Sequence, residues 1–260
     1  MIIMNEKGEI GIDCDGFINK HDLDDYIPKA YSKEFSYLCD VNRCMYAIYD
    51  VMKPHSEDVI ERFFAGTYGK IHKNTQAAII LAARGLTDQT KIMIRSTLDK
   101  LMIMQAVSND NYNYNKWLEA QENLIAQKVN GMRRGDKGLE NLKNSIPEDK
   151  EFSKGKYVSQ KAWAQMADME SDYNTVYGLF SGNVHCSIGA FEDDFDFENG
   201  KPVVMNIMPL TDSIGVLLLT AAAYALSAIS IVIKHFELDN TEFKRLDDYF
   251  DRFQDDVNAS

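Results

Sequence analysis

The chain has 260 residues, of which 45% are hydrophobic and 26% are charged, and its formal net charge is -12. These proportions are typical of a folded globular protein with a sizeable core, and they exclude a disordered or collagen-like chain. The negative charge opposes long-range attraction to nucleic acid and to anionic membranes.

The beginning of the chain, residues 1–30, predicts a small hairpin followed by an acidic segment. Two apolar runs flank the turn-like Asn5–Gly8. Five aspartates crowd between Asp13 and Asp25, but an EF-hand is excluded because its fifth and sixth positions hold apolar side chains. The start has no basic region and no long apolar run, so the sequence predicts no signal peptide, reduced cysteines and a cytoplasmic location.

Helical spacing of apolar residues dominates the next part of the chain. Predicted helices cover residues 32–52, 56–68, 74–83 and 87–107, with Pro54 ending the first of them and Gly85 breaking the chain before the last.

The helix at 87–107 is apolar nearly all round, which predicts that it is buried. It nevertheless carries Arg95 and Asp99, one helical turn apart. A buried arginine is costly unless it is paired, and Asp99 is the obvious partner. The pair is either a satisfied core ion pair or part of a polar site in which Arg95 supplies the positive charge.

A basic stretch interrupts the otherwise acidic chain. After a helix ending near Gly131, residues 132–159 predict a mobile loop. The segment Lys128–Lys161 holds nine Lys and Arg against five Asp and Glu. It is either a footprint for a polyanion or a solvated loop of mixed charge.

Three polar side chains share one predicted helix face. Tyr177, Ser181 and His185 are spaced at i, i+4 and i+8, so they stand in one row on a helix. A phenol, a hydroxyl and an imidazole in one row form either a functional site or a hydrogen-bond ladder between packed helices.

The last third of the chain predicts a second hairpin and two helices. The hairpin covers residues 190–208 around Asn199-Gly200, and strand alternation accounts for its acidic residues better than a metal site does. Residues 213–233 contain no charged residue, and this uncharged run is long enough to span a bilayer. Their Ala, Ser, Thr and Gly content and the lack of a basic cluster or a Trp belt at their ends favour a core helix instead. An acidic amphipathic helix at 241–257 completes the chain.

The predicted fold class is therefore all-α: a bundle of about seven to nine helices with two small peripheral β-hairpins. We expect one domain over residues 1–260. Within it, 1–30 forms the N-terminal hairpin and acidic segment, 132–159 the mobile basic loop and 190–208 the hairpin insertion.

The polar motifs, taken together, resemble a large bacterial family of unknown function. In that family a helix carries Arg-Ser-x-x-Glu after a Gly-Leu turn, and a later helix carries Tyr-x-x-Leu-Ser-x3-His. The segments Arg95–Asp99 and Tyr177–His185 match these motifs in order and separation, and the resemblance covers about residues 70–235. The chain departs from the pattern at Asp99, where Glu is usual, and at Phe180, where Leu is usual.

Such proteins also look like distant relatives of the HEPN group, small helical bundles of prokaryotic toxins and phage-defence systems. Active HEPN ribonucleases carry an Arg and a His a few residues apart on one helix, and no Arg here precedes a His at that spacing. The resemblance implies that Arg95 and His185 meet in space. It also implies that the chain forms homodimers.

The resemblance implies a catalytic set of Arg95, His185, Ser181, Tyr177 and Asp99. Arg95 would bind phosphate, His185 would transfer protons, and the other three would position them. The expected function is that of a bacterial defence or toxin-type effector, a metal-independent ribonuclease with RNA as its substrate and no cofactor. The alternative is a non-catalytic helical module that binds a partner protein or a small ligand. We find no motif for DNA readout, and a membrane-acting effector is the least favoured interpretation.

Overall fold

The computed structural model describes the backbone of residues 3–5, 8–10, 27–133, 158–185, 195–198, 201–205 and 213–259. Side chains are described over residues 27–122, 124–125, 158–182 and 213–252. The helices are α1 (Ser32–Val51), α2 (Val59–Ala83), α3 (Thr87–Asn109), α4 (Tyr112–Arg133), α5 (Gln160–Met166), α6 (Glu170–Asp172), α7 (Gly178–His185), α8 (Ile214–His235) and α9 (Thr241–Ala259), and a π-helical turn, Tyr173–Tyr177, precedes α7.

The prediction of a helical bundle is confirmed, and the β part of the predicted fold class is wrong. In the part of the chain described with its side chains, 85% of the residues lie in nine helices and none lies in a strand. Two short antiparallel backbone pairings lie outside that part: β1 (Ile3–Asn5) with β2 (Gly8–Ile10), and β3 (Phe195–Glu198) with β4 (Lys201–Met205). An isolated two-stranded hairpin is marginal in water unless one face packs on a core. The part of the chain described with its side chains is therefore all-α, and the hairpins predicted within 1–30 and 190–208 are not seen in it.

Two compact units divide the chain. The first comprises Met1–Leu101 and Asn174–Ser260, and the second comprises Met102–Tyr173. The prediction of one domain over residues 1–260 stays a prediction. Most of the predicted loop at 132–159 lies outside the described residues.

The first unit has its core around α8. This helix packs against α1 and α2, and α9 packs on α1. Buried alanines on α8 allow close approach of the neighbouring helices, since they project little beyond the backbone. They are Ala221, Ala222, Ala225 and Ala228, each at most 4% exposed.

A mostly buried α8 fits the core helix of a soluble protein. It has a mean hydropathy of 2.4 over its most apolar window, and 61% of that window is buried. In the described residues it is the one helix long and apolar enough to span a membrane.

The structure corrects the predicted start and continuity of α2. Asp58, rather than Ser56, caps the helix, and its carboxylate accepts hydrogen bonds from the N–H groups of Ile60 and Glu61 at 2.8 and 3.0 Å. The helix then runs unbroken for 25 residues. Asn74, predicted to start a second helix, lies in its interior because the buried apolar face continues past it.

The turn between α2 and α3 is a Schellman motif centred on Gly85. Its N–H donates to the carbonyl of Ala82 at 2.9 Å, and the N–H of Leu86 donates to the carbonyl of Leu81 at 3.0 Å. Gly85 has a φ of 69°, which glycine adopts without the strain that a Cβ would cause. This glycine therefore ends α2 and sets the start of α3, which carries Arg95.

Candidate functional site

Two elements of the first unit position the predicted site residues. Helix α3 presents Ile94, Leu98 and Leu101 to the core, each at most 1% exposed. Arg95 and Asp99 lie at the margin of that apolar face and are half-buried. The π-helical turn supplies Tyr177, its last residue, which is also half-buried.

Arg95 binds the side chain of Tyr177. Its Nη2 donates a hydrogen bond to the Tyr177 hydroxyl at 2.7 Å, and its Cζ lies 4.5 Å from the centre of the tyrosine ring. A hydrogen bond from a charged donor contributes roughly 1.5–3 kcal/mol, and a cation–π contact at a partly exposed site adds about 0.5–1 kcal/mol. The structure thus brings together two motifs that are 82 residues apart in sequence.

The π-helical turn places Tyr177 for this contact. Such turns insert one extra residue into a helix, rotate the side chains that follow and are frequent at functional sites. The backbone is regular α-helix from Gly178 to His185, so the i, i+4 and i+8 positions of Tyr177, Ser181 and His185 follow one another along it.

Asp99 does not form the predicted ion pair with Arg95. The Nε atom of Arg95 and the Oδ1 atom of Asp99 are both buried, and neither has a hydrogen-bond partner within the described residues. Burial raises the pKa of the Asp99 carboxyl, and the positive charge of Arg95, then that of Lys100, opposes the shift. The interaction of Arg95 with Asp99 is therefore electrostatic, and Arg95 donates its hydrogen bond to Tyr177 instead.

Ser181 bonds to its own helix. Its Oγ donates to the backbone carbonyl of Tyr177, one turn earlier, at 2.6 Å. The hydroxyl proton is thereby used, and the oxygen keeps lone pairs that can accept a further hydrogen bond.

His185 is the last residue of α7, and its side chain lies outside the described residues. At about 1.5 Å of rise per residue, its Cα stands roughly 12 Å along the helix from that of Tyr177. The contact of His185 with Arg95 that the resemblance implied stays a prediction.

Lys100 belongs beside this site and was not predicted. Its Nζ donates to the carbonyl and to the Oγ of Ser96, at 2.8 and 2.7 Å. Burial lowers the pKa of Lys100, the Asp99 carboxylate opposes that shift, and the charge of Lys70 on α2 adds to it. The i, i+4 spacing of Ser96 and Lys100 could have revealed the contact, but only the fold shows that Lys70 is near.

The residues at the site carry the chemistry of anion binding and proton transfer. Arg95 and Lys100 are cations, Tyr177 and Ser181 are hydroxyls, and Asp99 is a carboxyl. Within the described parts of the chain, no group of three or more His, Cys, Asp or Glu side chains could hold a metal ion.

Comparisons with known proteins identify a family. The model of a family of unknown function, DUF5677, matches residues 61–202, which is more than half of the chain and includes both motifs. No curated protein and no solved structure matches the chain. This match shows that the chain belongs to the DUF5677 family of unknown function.

Proposed function

We propose that the chain is a HEPN-like bacterial defence effector that cleaves RNA in the cytoplasm without a metal ion. The observation that carries the proposal is the hydrogen bond between Arg95 and Tyr177, which joins the two polar motifs. A site used only for packing does not require an arginine with a buried, unpartnered Nε–H.

Metal-independent RNA cleavage needs a base, an acid and a cation beside the scissile phosphate. The 2′-oxygen attacks phosphorus, the bond from phosphorus to the 5′-oxygen breaks, and a 2′,3′-cyclic phosphate and a 5′-hydroxyl result. His185 would accept the 2′-hydroxyl proton and return a proton to the leaving oxygen. Arg95 would neutralise the phosphate by its positive charge while Tyr177 holds Nη2.

The other predicted residues act as positioning groups in this proposal. Ser181 would accept a hydrogen bond from substrate through its remaining lone pairs, and Asp99 would hold the guanidinium by its field. Lys100, on the same helix as Arg95, would add positive charge for a polyanion.

The test is cleavage of total RNA in EDTA by the wild-type chain and by two variants, Arg95→Ala and His185→Ala. Matched controls are Arg62→Ala, an exposed arginine on α2, and His55→Ala, whose side chain is 83% exposed. We expect wild type and both controls to cleave, and both site variants to lose at least about a hundredfold in rate. Cyclic phosphate ends should appear in the products.

Cleavage that survives in Arg95→Ala and His185→Ala would place the activity elsewhere or in a contaminant. Absence of cleavage by the wild-type protein, folded by circular dichroism, would overturn the ribonuclease proposal.

A non-catalytic module that binds a partner protein or small ligand is the second candidate. It is favoured by one observation: the Ser181 hydroxyl proton goes to a backbone carbonyl, as in a structural helix contact. Under this alternative, Tyr177→Phe should lower the free energy of unfolding by about 1–2 kcal/mol while no variant affects RNA. Measuring chemical denaturation beside the cleavage assay separates the two candidates.

A further inference from the structure

A second polar cluster lies in the first unit, on facing surfaces of α1 and α2. His72 is 5% exposed, and both of its ring nitrogens have partners. Its Nδ1 is 3.3 Å from the hydroxyl of Tyr49, and its Nε2 is 3.0 Å from Oδ1 of Asn42. The amide of Gln76 also reaches Nε2, at 3.3 Å.

The distances assign the proton on the imidazole ring. Oδ1 of Asn42 can only accept, so the shorter contact, at 3.0 Å, requires a proton on Nε2. Nδ1 then carries the lone pair and accepts the hydrogen bond from Tyr49. The contact between the Gln76 amide nitrogen and Nε2 is longer, at 3.3 Å, and is the weaker of the two at that ring atom.

The result is a chain of phenol, imidazole and amide. A hydroxyl bonded to one ring nitrogen, with the other nitrogen held by an oriented acceptor, is the arrangement that activates nucleophiles in hydrolases. We propose that Tyr49 is a nucleophile activated by His72 as general base, with Asn42 as the positioning residue, and that it accepts an acyl group from an activated acyl donor.

Tyr49 is held in place and open to solvent. Its ring makes edge contacts with Tyr68 and a tilted contact with His72, each with ring centres 5.6 Å apart. The residue is 38% exposed. The phenol oxygen lies close to Gly69 of α2, where a Cβ would be 3.4 Å from that oxygen.

The buried imidazole is suited to the role of base. Desolvation lowers the pKa of His72, so the ring is neutral at neutral pH, and burial raises the pKa of the Tyr49 phenol, so the phenol keeps its proton until the base accepts it during attack. Asn42 would accept a hydrogen bond from Nε2–H more strongly once Nδ1 takes a proton, because the ring is then charged.

The composition of the cluster favours an acyl donor over a phosphoryl donor. A phosphoryl group carries negative charge that transfer sites neutralise with cations. None of the four side chains in the cluster is cationic, and the whole chain has a net charge of -12. A carbonyl electrophile needs no such neutralisation.

Transfer of the acyl group to Tyr49 requires no reactant other than the acyl donor. The Tyr49 oxygen attacks the acyl carbon and forms an ester bond, the bond from that carbon to the leaving group breaks, and the phenol proton moves to Nδ1 of His72. The leaving group departs with the electron pair and takes up a proton.

The experiment uses N-acetylimidazole as the acyl donor and follows acetylation of individual tyrosines by peptide mass mapping. Tyr46 is the matched control: it lies one turn from Tyr49 on α1, is 65% exposed and makes no side-chain hydrogen bond within the described residues. Accessibility alone predicts that Tyr46 reacts faster. The proposal predicts that Tyr49 reacts at least about tenfold faster.

Variants test the chain of hydrogen bonds. Asn42→Ala and His72→Phe should each slow acetylation of Tyr49 about tenfold and leave the rate at Tyr46 unchanged. Lys73→Ala, at an exposed position of α2 outside the cluster, should change neither rate. If His72→Phe does not fold, the Asn42→Ala variant still tests the proposal, because Asn42 is only half-buried.

Equal rates at the two tyrosines, or a rate at Tyr49 that ignores Asn42→Ala, would overturn the proposal. The readout involves no RNA, so its outcome is independent of the ribonuclease proposal.

Discussion

The choice of partner by Arg95 shows how residue-level chemistry departs from helical spacing. Arg95 and Asp99 face the same way one turn apart, but an acid that follows its base along a helix is the weaker order of such pairs. The short Asp99 side chain adds to that weakness. Tyr177 offers both a hydroxyl acceptor and a ring face, and Arg95 uses both.

The unpartnered oxygen of Asp99 leads to a pH-dependent prediction for stability. Burial raises the folded-state pKa of Asp99 above its value in the unfolded chain. The folded state therefore binds the proton more tightly, and stability falls as pH rises from the unfolded pKa through the folded one. We expect Asp99→Asn to remove this loss, so that the variant gains stability relative to wild type between acid and neutral pH.

The measurement is urea denaturation of both proteins across that pH range. Asp50→Asn, at an exposed position of α1, is the control and should change the free energy of unfolding by less than about 0.5 kcal/mol. A stability difference that stays constant with pH would show that Asp99 does not titrate differently in the folded state.

The His72 cluster could not be predicted from residue spacing. Asn42 and Tyr49 are seven residues apart on α1, and His72 and Gln76 are four apart on α2, so each pair shares a helix face. Such pairs are common in helices, and no motif joins them. Packing of the two helices decides that these faces meet.

At the scale of elements, α8 shows how composition predicts packing. Its run of small and apolar residues predicted a core helix, and four of its alanines are buried in the unit in which it packs on α1 and α2: Ala221, Ala222, Ala225 and Ala228. Gly215 has the same role near the start of α8, since a Cβ there would lie 3.2 Å from Cδ1 of Tyr31.

Enlarging a buried alanine of α8 should destabilise the protein. Ala225 is 0% exposed. Ala225→Leu inserts three carbon atoms into a filled core, and we expect a loss of about 1–3 kcal/mol in the free energy of unfolding.

Ala223→Leu is the matched control, because Ala223 is half-buried on the same helix. It should cost less than about 0.5 kcal/mol in chemical denaturation. Equal losses at positions 223 and 225 would contradict close packing of α8 on one side only.

Other element predictions failed for reasons of context. The predicted break before Asn74 does not occur, because the buried face of α2, with Tyr68, Ile71 and Ala78, continues through it. The alternation of Phe and acids at residues 191–197 suggested a stable hairpin. The part of the chain described with its side chains contains no strand, and a two-stranded pairing has little stability of its own.

At the scale of the whole molecule, the surroundings of α8 bear on whether the protein is soluble or inserted in a membrane. Its hydropathy satisfies the requirement for a span, yet 61% of the window is already buried by protein. We expect the chain to stay in the supernatant after high-speed centrifugation of a cell lysate. Recovery in the membrane pellet, resistant to alkaline carbonate, would show that α8 inserts in a bilayer.

The net charge of -12 also bears on the proposed function. A polyanion would approach such a protein only at a locally basic site. Arg95 and Lys100 on α3 and Lys70 on α2 provide positive charge in the first unit. The predicted basic segment at 128–161 lies mostly outside the described residues.

The sequence by itself determined the helical architecture, the end of α2 at Gly85 and the burial of α8. Local chemistry suffices for these features: periodic apolar residues form a helix face, and a glycine with positive φ ends a helix. It also indicated Arg95 and Tyr177 as candidate site residues, because polar groups recurred on apolar helices, and their role in a functional site stays a prediction.

Only the tertiary structure decided which of these groups touch. It paired Arg95 with Tyr177 instead of Asp99, and it placed Tyr49 against His72. The physical reason is that contacts between residues far apart in sequence depend on how helices pack, and spacing along one helix carries no information about the helix opposite.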